Sequence, residues 1–322
     1  MIPYGSQNIN ENDIQSVVDV LRGQFLTQGP KVGAFERKIA DYCGVKAAVA
    51  VNSATSALHI ACKALGLGNG DLLWTSPNSF IASANCGLYC EADVDFVDID
   101  PKTYNLCPRK LERKLKQAAR KKRLPKIVIP VHFSGQPADM KTIAKLSEEY
   151  GFHIIEDASH AVGAEYLNEK VGNCRFSDIT VFSFHPVKII TTGEGGLALT
   201  NDPVLETKMR LFSNHGMTRD AALLKRRDEG SWYYEQIELG YNYRMTDIAA
   251  ALGISQMDRL DQFVLRRWII AKRYDEELKD LPVILPWQSP DCRSSWHLYV
   301  LQLSDDMAQK RITSVHENLS EN

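Results

Sequence analysis

Through the first two thirds of the chain, short runs of β-branched and small apolar residues alternate with stretches whose apolar positions recur every three or four residues. The runs AAVAV (47–51), VDFVDID (94–100), KIVIPVHF (126–133), FHIIED (152–157), ITVFSF (179–184) and GLALTN (196–201) predict strands. The segments 54–66, 80–91, 109–121 and 139–150 between them predict helices. This order predicts an α/β fold with a mostly parallel sheet covered on both faces, so that ligands belong at the carboxyl ends of the strands. From about Met245 to Leu281 the pattern becomes one long helical stretch, broken by Pro282 and Pro286. We expect a large domain over 1–245, with an N-terminal arm, and a smaller C-terminal α/β domain over 246–322.

Size agrees with that division, since 322 residues exceed one typical core. No apolar run is long enough to span a bilayer and no basic-then-apolar leader follows Met1, which leads us to expect a soluble, unprocessed, cytoplasmic protein. Lys plus Arg (38) nearly balance Asp plus Glu (40), so nothing global argues for nucleic acid and an anionic ligand must be held locally. The one strong charge block, RKLERKLKQAARKKR (109–123), reads as the solvated face of a helix whose apolar face carries Leu111, Leu115 and Ala118 or Ala119. Seven scattered cysteines read as small buried hydrophobes in a reducing compartment, including Cys86 and Cys90 at helical spacing.

Four pieces carry chemistry. In NSATSALHIACKAL (52–65) a strand feeds small and hydroxyl residues into a helix start, whose free N–H groups and positive dipole end suit a phosphate, although Ser53 also reads as an ordinary N-cap. In IIEDASHAVGA (154–164) Asp157 reaches a strand's carboxyl end, where a carboxylate needs a cation such as a protonated ring nitrogen or caps the following turn; His160 lies three residues on. In FSFHPVKIITTGEGG (182–196) Lys188 stands among Val187, Ile189 and Ile190, where lost hydration lowers an amine's pKa and fits it for Schiff-base chemistry. A snorkelling structural lysine is the competing reading, and the glycines after it allow close backbone approach to a ligand. In PNSF (77–80) Phe80 opens a helix and offers a face for stacking on a planar heterocycle, or simply packs in the core. A phosphate cradle, a carboxylate for a ring nitrogen, an imine-forming amine and an aromatic plate together meet the needs of pyridoxal phosphate.

The stretches FLTQGPKVGAFE (25–36), NSATSALH (52–59), TSPNSFIASAN (75–85), FVDID (96–100), EDASHAVGA (156–164), FSFHPVKIITTGEGG (182–196) and LGYNYRMTDIAAALG (239–253) resemble the DegT/DnrJ/EryC1/StrS family of fold-type I pyridoxal-phosphate enzymes, the sugar-nucleotide aminotransferases. The resemblance implies that Lys188 bonds the cofactor's aldehyde, Asp157 meets its ring nitrogen, His160 sits near its phenolic oxygen and Phe80 stacks on the ring. It also implies a phosphate held by Ala54, Thr55 and Ser183 and completed by Asn242 of a neighbouring subunit, which makes a homodimer the functional unit. Within the family, NSATSALH, SHAVGAEY, FSFHPVKIITTGEGG and SSWHLYVL are most similar to members of pseudaminic acid synthesis that aminate C4 of a UDP-linked 4-keto-6-deoxy-N-acetylhexosamine with L-glutamate.

For the sugar's diphosphate, Arg244 and the loop 217–235, with Arg219, Lys225, Arg226 and Arg227, are candidate cations, and Trp232, Tyr233 and Tyr234 candidate stacking surfaces; all read equally well as solvated-loop or interface residues. Family members continue several dozen residues past the position of Asn322, so the small domain is expected to be incomplete, with 294–303 short of a covering partner. Rival readings are an aminotransferase for another keto-sugar, a sugar dehydratase of the same family, which would carry histidine at the position of Lys188, and a truncated, non-catalytic cofactor-binding paralogue.

Overall fold

Ala47–Val51 forms the first strand, β1, with Ala48 and Ala50 turned to one apolar cluster and Val49 and Val51 to another. That two-residue period, with both sides apolar, marks a strand buried on both faces. The computed structural model describes residues 5–226, 230 and 232–303. Six further strands join β1 in one sheet: β2 (Leu72–Thr75), β3 (Asp93–Phe96), β4 (Ile127–Ile129), β5 (His153–Asp157), β8 (Ile179–Ser183) and β9 (Gly196–Thr200). A short hairpin, β6 (Glu165–Tyr166) and β7 (Glu169–Lys170), lies outside it. The sheet order is β1-β9-β8-β5-β4-β2-β3. Pairing is parallel from β8 through β3, while β9 runs antiparallel to both β8 and β1.

The antiparallel β9 departs from a wholly parallel reading for a local reason. No crossover helix separates β8 from β9; the chain folds back, with Phe184 N–H donating to the Gly195 carbonyl and Gly196 paired opposite Ser183. Strands joined by such a return must be antiparallel.

Helices α1 (Glu11–Arg22), α2 (Pro30–Cys43), α3 (Ala54–Ala64), α4 (Ala82–Tyr89), α5 (Pro108–Arg120), α6 (Met140–Tyr150), α7 (Pro203–Ser213), α8 (Asp247–Met257) and α9 (Leu260–Leu278) complete the main architecture. Three apolar clusters fill the two sides of the sheet: one beneath α2 and α8, one beneath α3, α4 and α7, and one beneath α5 and α6. On α5 the buried residues are Leu111, Leu115 and Ala118, leaving the basic side in water as the sequence predicted. All seven cysteines are free and six of them are buried.

Where the sequence predicts one helix from Met245 to Leu281, the structure has two. Arg259 leaves helical geometry between α8 and α9, and its guanidinium binds the carbonyl and side chain of Asn8 and the carboxylate of Asp13, which is fully buried. The charge-assisted contacts pin α1 against α8. Met245, Ala250, Met257, Leu260 and Val264 share one core with Phe35 and Ile39, so α8 and the start of α9 pack against the large unit. Strand β4 also ends earlier than its apolar run, because Pro130 follows Ile129 and has no N–H for the ladder. Residues 304–322 of the expected small domain lie outside the described residues.

Candidate active site

The strand ends of β1, β5 and β8 and the turn after β2 open onto one cavity of about 930 Å³. Ala54, Thr55, Phe80, Asp157, His160, Ser183 and Lys188 all line it. At one end is the start of α3. Ser53 caps it, its Oγ accepting the Ser56 N–H at 3.1 Å, and the Ser56 hydroxyl donates to Asn52 Oδ1 at 2.6 Å. The cap uses the third N–H of the helix and leaves those of Ala54 and Thr55 without a protein partner among the described residues. Two unpaired N–H groups at a dipole's positive end form an anion site. The N-cap and phosphate readings of this stretch are therefore compatible.

In the glycine-rich stretch behind it, Gly196 meets protein backbone. A Cβ on Gly196 would lie 2.3 Å from the carbonyl carbon and oxygen of Ser53. This close approach between β9 and the start of α3 fixes that helix end in place.

Asp157 ends β5, nearly inaccessible to water. One carboxylate oxygen accepts the Ser83 hydroxyl at 2.6 Å and the other the Ser159 N–H at 3.1 Å. Sequence reasoning missed Ser83, on α4; its signal was the i,i+4 pair Ser79 and Ser83, whose hydroxyls lie 2.6 Å apart. The adjacent Glu156 takes no part in the cavity. It is bound to His132 at 2.7 Å and to Ser177 and Thr180.

Burial lowers the pKa of the Lys188 amine, and the Asp157 carboxylate opposes part of that shift. The His160 ring is held neutral, its pKa lowered to about 4 chiefly by burial and also by the charge of Lys188. Its Nδ1 accepts the Ser134 N–H at 3.2 Å, which puts the ring proton on Nε2, where it can be donated to a ligand. A second histidine, His297, packs on this ring with centroids 4.3 Å apart. No motif argument had singled it out, although it belongs to the stretch SSWHLYVL.

Phe80 lies in the turn before α4 rather than at its first residue, and is 72% exposed beside the cavity. Asn242 does not line the cavity: it is exposed, and its sequence neighbours Tyr241 and Tyr243 stack their rings on each other. Arg244 is also elsewhere, donating to Asn214 Oδ1 at 2.8 Å. In the loop, the Arg219 guanidinium lies over the Tyr234 ring, the backbone N–H groups of Lys225 and Arg226 bind Glu235, and Trp232 is exposed. The Tyr233 hydroxyl donates to Glu235. Arg227 lies outside the described residues.

The cavity's donor set is specific: an anion site at α3, a buried carboxylate, a neutral imidazole donor and one amine with lowered basicity. Residues 7–322 match the sequence model of the DegT/DnrJ/EryC1/StrS aminotransferase family. The chain belongs to that family. The family depends on pyridoxal phosphate, and by sequence and by fold this chain is a sugar-nucleotide aminotransferase of fold type I. It is 43% identical over 308 residues to the spore coat polysaccharide biosynthesis protein SpsC of Bacillus subtilis, covering 95% of this chain and 77% of that protein. It is 40% identical over 304 residues to the UDP-4-amino-4,6-dideoxy-N-acetyl-beta-L-altrosamine transaminase of Campylobacter jejuni, covering 94% of this chain and 77% of that one. Among solved structures, Helicobacter pylori PseC, an aminotransferase involved in the biosynthesis of pseudoaminic acid, superposes with a TM-score of 0.88 at 31% identity, covering 98% of this chain and 82% of that one.

Proposed function

We propose that the protein transfers the amino group of L-glutamate to C4 of a UDP-linked 4-keto-6-deoxy-N-acetylhexosamine, a step of pseudaminic acid synthesis. The observation that carries the reading is the shared cavity of Lys188 and Asp157, with an amine of lowered basicity and a carboxylate held by Ser83 at the carboxyl end of the sheet. The similarity to a transaminase of a UDP-linked amino sugar and to PseC supports the choice of substrate. The similarity to SpsC favours a wider possibility, another nucleotide-linked keto-sugar, as the second reading.

Bound pyridoxal phosphate supplies an electron sink for the pair left when the donor's α-proton departs. Asp157 would keep its pyridine nitrogen protonated. The free N–H groups of Ala54 and Thr55, the Thr55 hydroxyl and Ser183 would hold its phosphate. Phe80 would offer a face to the ring, and the His160 Nε2–H would be the donor for the phenolic oxygen. Lys188 would hold the cofactor's aldehyde; when free, its amine would accept a proton from one carbon and, as the ammonium, return it to another, an exchange that its lowered pKa favours. Water supplies the keto oxygen with which glutamate's skeleton leaves as 2-oxoglutarate, and the sugar's ketone oxygen leaves as water when that carbon is aminated.

Asn242 acts across a homodimer interface in this reading, which its exposure on its own protomer supports. The setting is the cytoplasm: seven free thiols suit a reducing compartment, and no described helix is long and apolar enough to cross a membrane. Incubation with L-glutamate and a panel of UDP- and other nucleotide-linked keto-sugars, with the new C–N bond located by NMR, tests the proposal. We expect an amine at C4 of the UDP-linked 4-keto-6-deoxy sugar; amination at C3, or of non-UDP sugars alone, would overturn it.

A further inference from the structure

Lys188 borders two cavities. Beyond the one already described, a smaller one of about 400 Å³ lies between the N-terminal segment, α9 and the stretch around His297. Its wall includes Lys188, Arg266 and Arg267 and, among the described residues, no carboxylate. Among the described residues, none of these three cations has an ion-pair partner. Arg267 is half-buried and uses one guanidinium nitrogen, NH1, to bind the carbonyls of Trp296 and His297 at 3.0 and 3.2 Å, leaving its other nitrogens unbonded to described residues. Burial lowers its pKa; burial is also the main cause that keeps His297 neutral, with the charges of Lys188 and Arg267 adding to it, so these two cations act on one small volume. A desolvated cation without a counter-charge is costly, and the economical occupant is an anion.

The rest of the wall narrows the choice of anion. Ile189, Phe263 and Ala271 are apolar and suit a short methylene chain. The polar groups at the far end are already committed: Gln256 Nε2 donates to the Asn8 carbonyl and Asp13, and the Asn8 side-chain oxygen accepts from Arg259. Among the described residues, two buried nitrogens of the wall, Trp296 Nε1 and His297 Nδ1, have no protein partner; they belong to the residues whose carbonyls Arg267 binds, so the hydrogen-bonding capacity left free lies at the cationic end. We infer that this cavity is the subsite for the distal carboxylate of a dicarboxylic amino donor, bound by Arg267 with Arg266, while the donor's amino end reaches the cofactor beside Lys188. The inference rests on the aminotransferase reading of the main cavity and names the residues that select the donor.

The test uses glutarate, a dicarboxylate without an amine, titrated calorimetrically into the cofactor-loaded enzyme, with butyrate and UDP titrated in parallel. Wild type is expected to bind glutarate at least tenfold more tightly than butyrate. Arg267→Gln is expected to weaken glutarate about 10- to 100-fold, the range for a hydrogen bond to a charged group, and Arg267→Lys to restore part of it. Because Arg267 also supports Trp296 and His297, the exposed Arg266→Gln serves as the second variant, with a smaller loss in the same direction. Unchanged glutarate binding in both Gln variants overturns the subsite, as does UDP binding that falls in those variants while glutarate binding does not. The two readings separate in the half-reaction: bleaching of the yellow enzyme by L-glutamate with arginine-independent glutarate binding removes the subsite alone, whereas no bleaching by any amino acid removes the aminotransferase reading beneath it.

Discussion

Ser83 Oγ donates to Asp157 Oδ2 at 2.6 Å, and this bond ties α4 to the carboxyl end of β5 inside the cavity. Asp157 has only one other side-chain bond, from the Ser159 N–H. Ser83→Ala leaves a buried carboxylate oxygen unpaired, a loss of about 1–3 kcal/mol. We expect a lower urea midpoint for the cofactor-free protein, partly recovered on loading with pyridoxal phosphate, whose ring nitrogen gives Asp157 a new partner. An unchanged midpoint in the free protein would remove Ser83 from this role.

Gly196 lies against the backbone of Ser53 and Ala54, 2.3–2.4 Å from an added Cβ. Backbone cannot yield as a flexible side chain can, so Gly196→Ala must displace the start of α3 or the end of the β8–β9 turn, at about 1–3 kcal/mol or more. The expected outcome is a folded but less stable protein whose affinity for pyridoxal phosphate falls more than its affinity for pyridoxal, since the displaced N–H groups are the proposed phosphate donors. Equal losses for the two ligands would contradict that assignment.

His160 gives a pH signature with a definite sign. Its pKa falls from 6.5 when unfolded to about 4 when folded. The stability is therefore fully present above pH 6.5 and is lost as the pH falls toward 4, because the unfolded chain takes up the proton first. Between pH 7 and pH 5 the loss is on the order of 2 kcal/mol. Chemical denaturation of the cofactor-free protein at both values checks this, with His160→Gln expected to flatten the dependence. His297, whose pKa is lowered to about 2, contributes in the same direction, so the slope should diminish in the variant without vanishing.

Much of this architecture was legible in the chain because apolar periodicity reports burial. The run AAVAV coincides with β1 residue for residue, and the segment 54–66 with α3 apart from its last two residues. Parallel order and the position of the ligand cavity follow from strand–helix alternation. The reversal at β9 was not legible, because it depends on hydrogen bonds between Phe184, Thr192 and Gly195 and not on any periodicity. The division of α8 from α9 was hidden as well, since the cause, Asp13 and Asn8 holding Arg259, lies some 246–251 residues away in sequence. At the site, Lys188, Asp157 and the α3 start announce themselves by chemistry unusual for their surroundings. Ser83 and His297 do not, because a serine on a helix and a histidine beside aromatics look ordinary until the fold brings them to Asp157 and His160.

Lys188 as the proposed covalent anchor of pyridoxal phosphate is open to a direct test. Borohydride reduction of the yellow enzyme, followed by peptide mapping, reads that bond. We expect a single phosphopyridoxyl adduct, on Lys188, absent from Lys188→Ala; an adduct on another lysine, or none in an enzyme that still transfers amino groups at the wild-type rate, would refute the assignment.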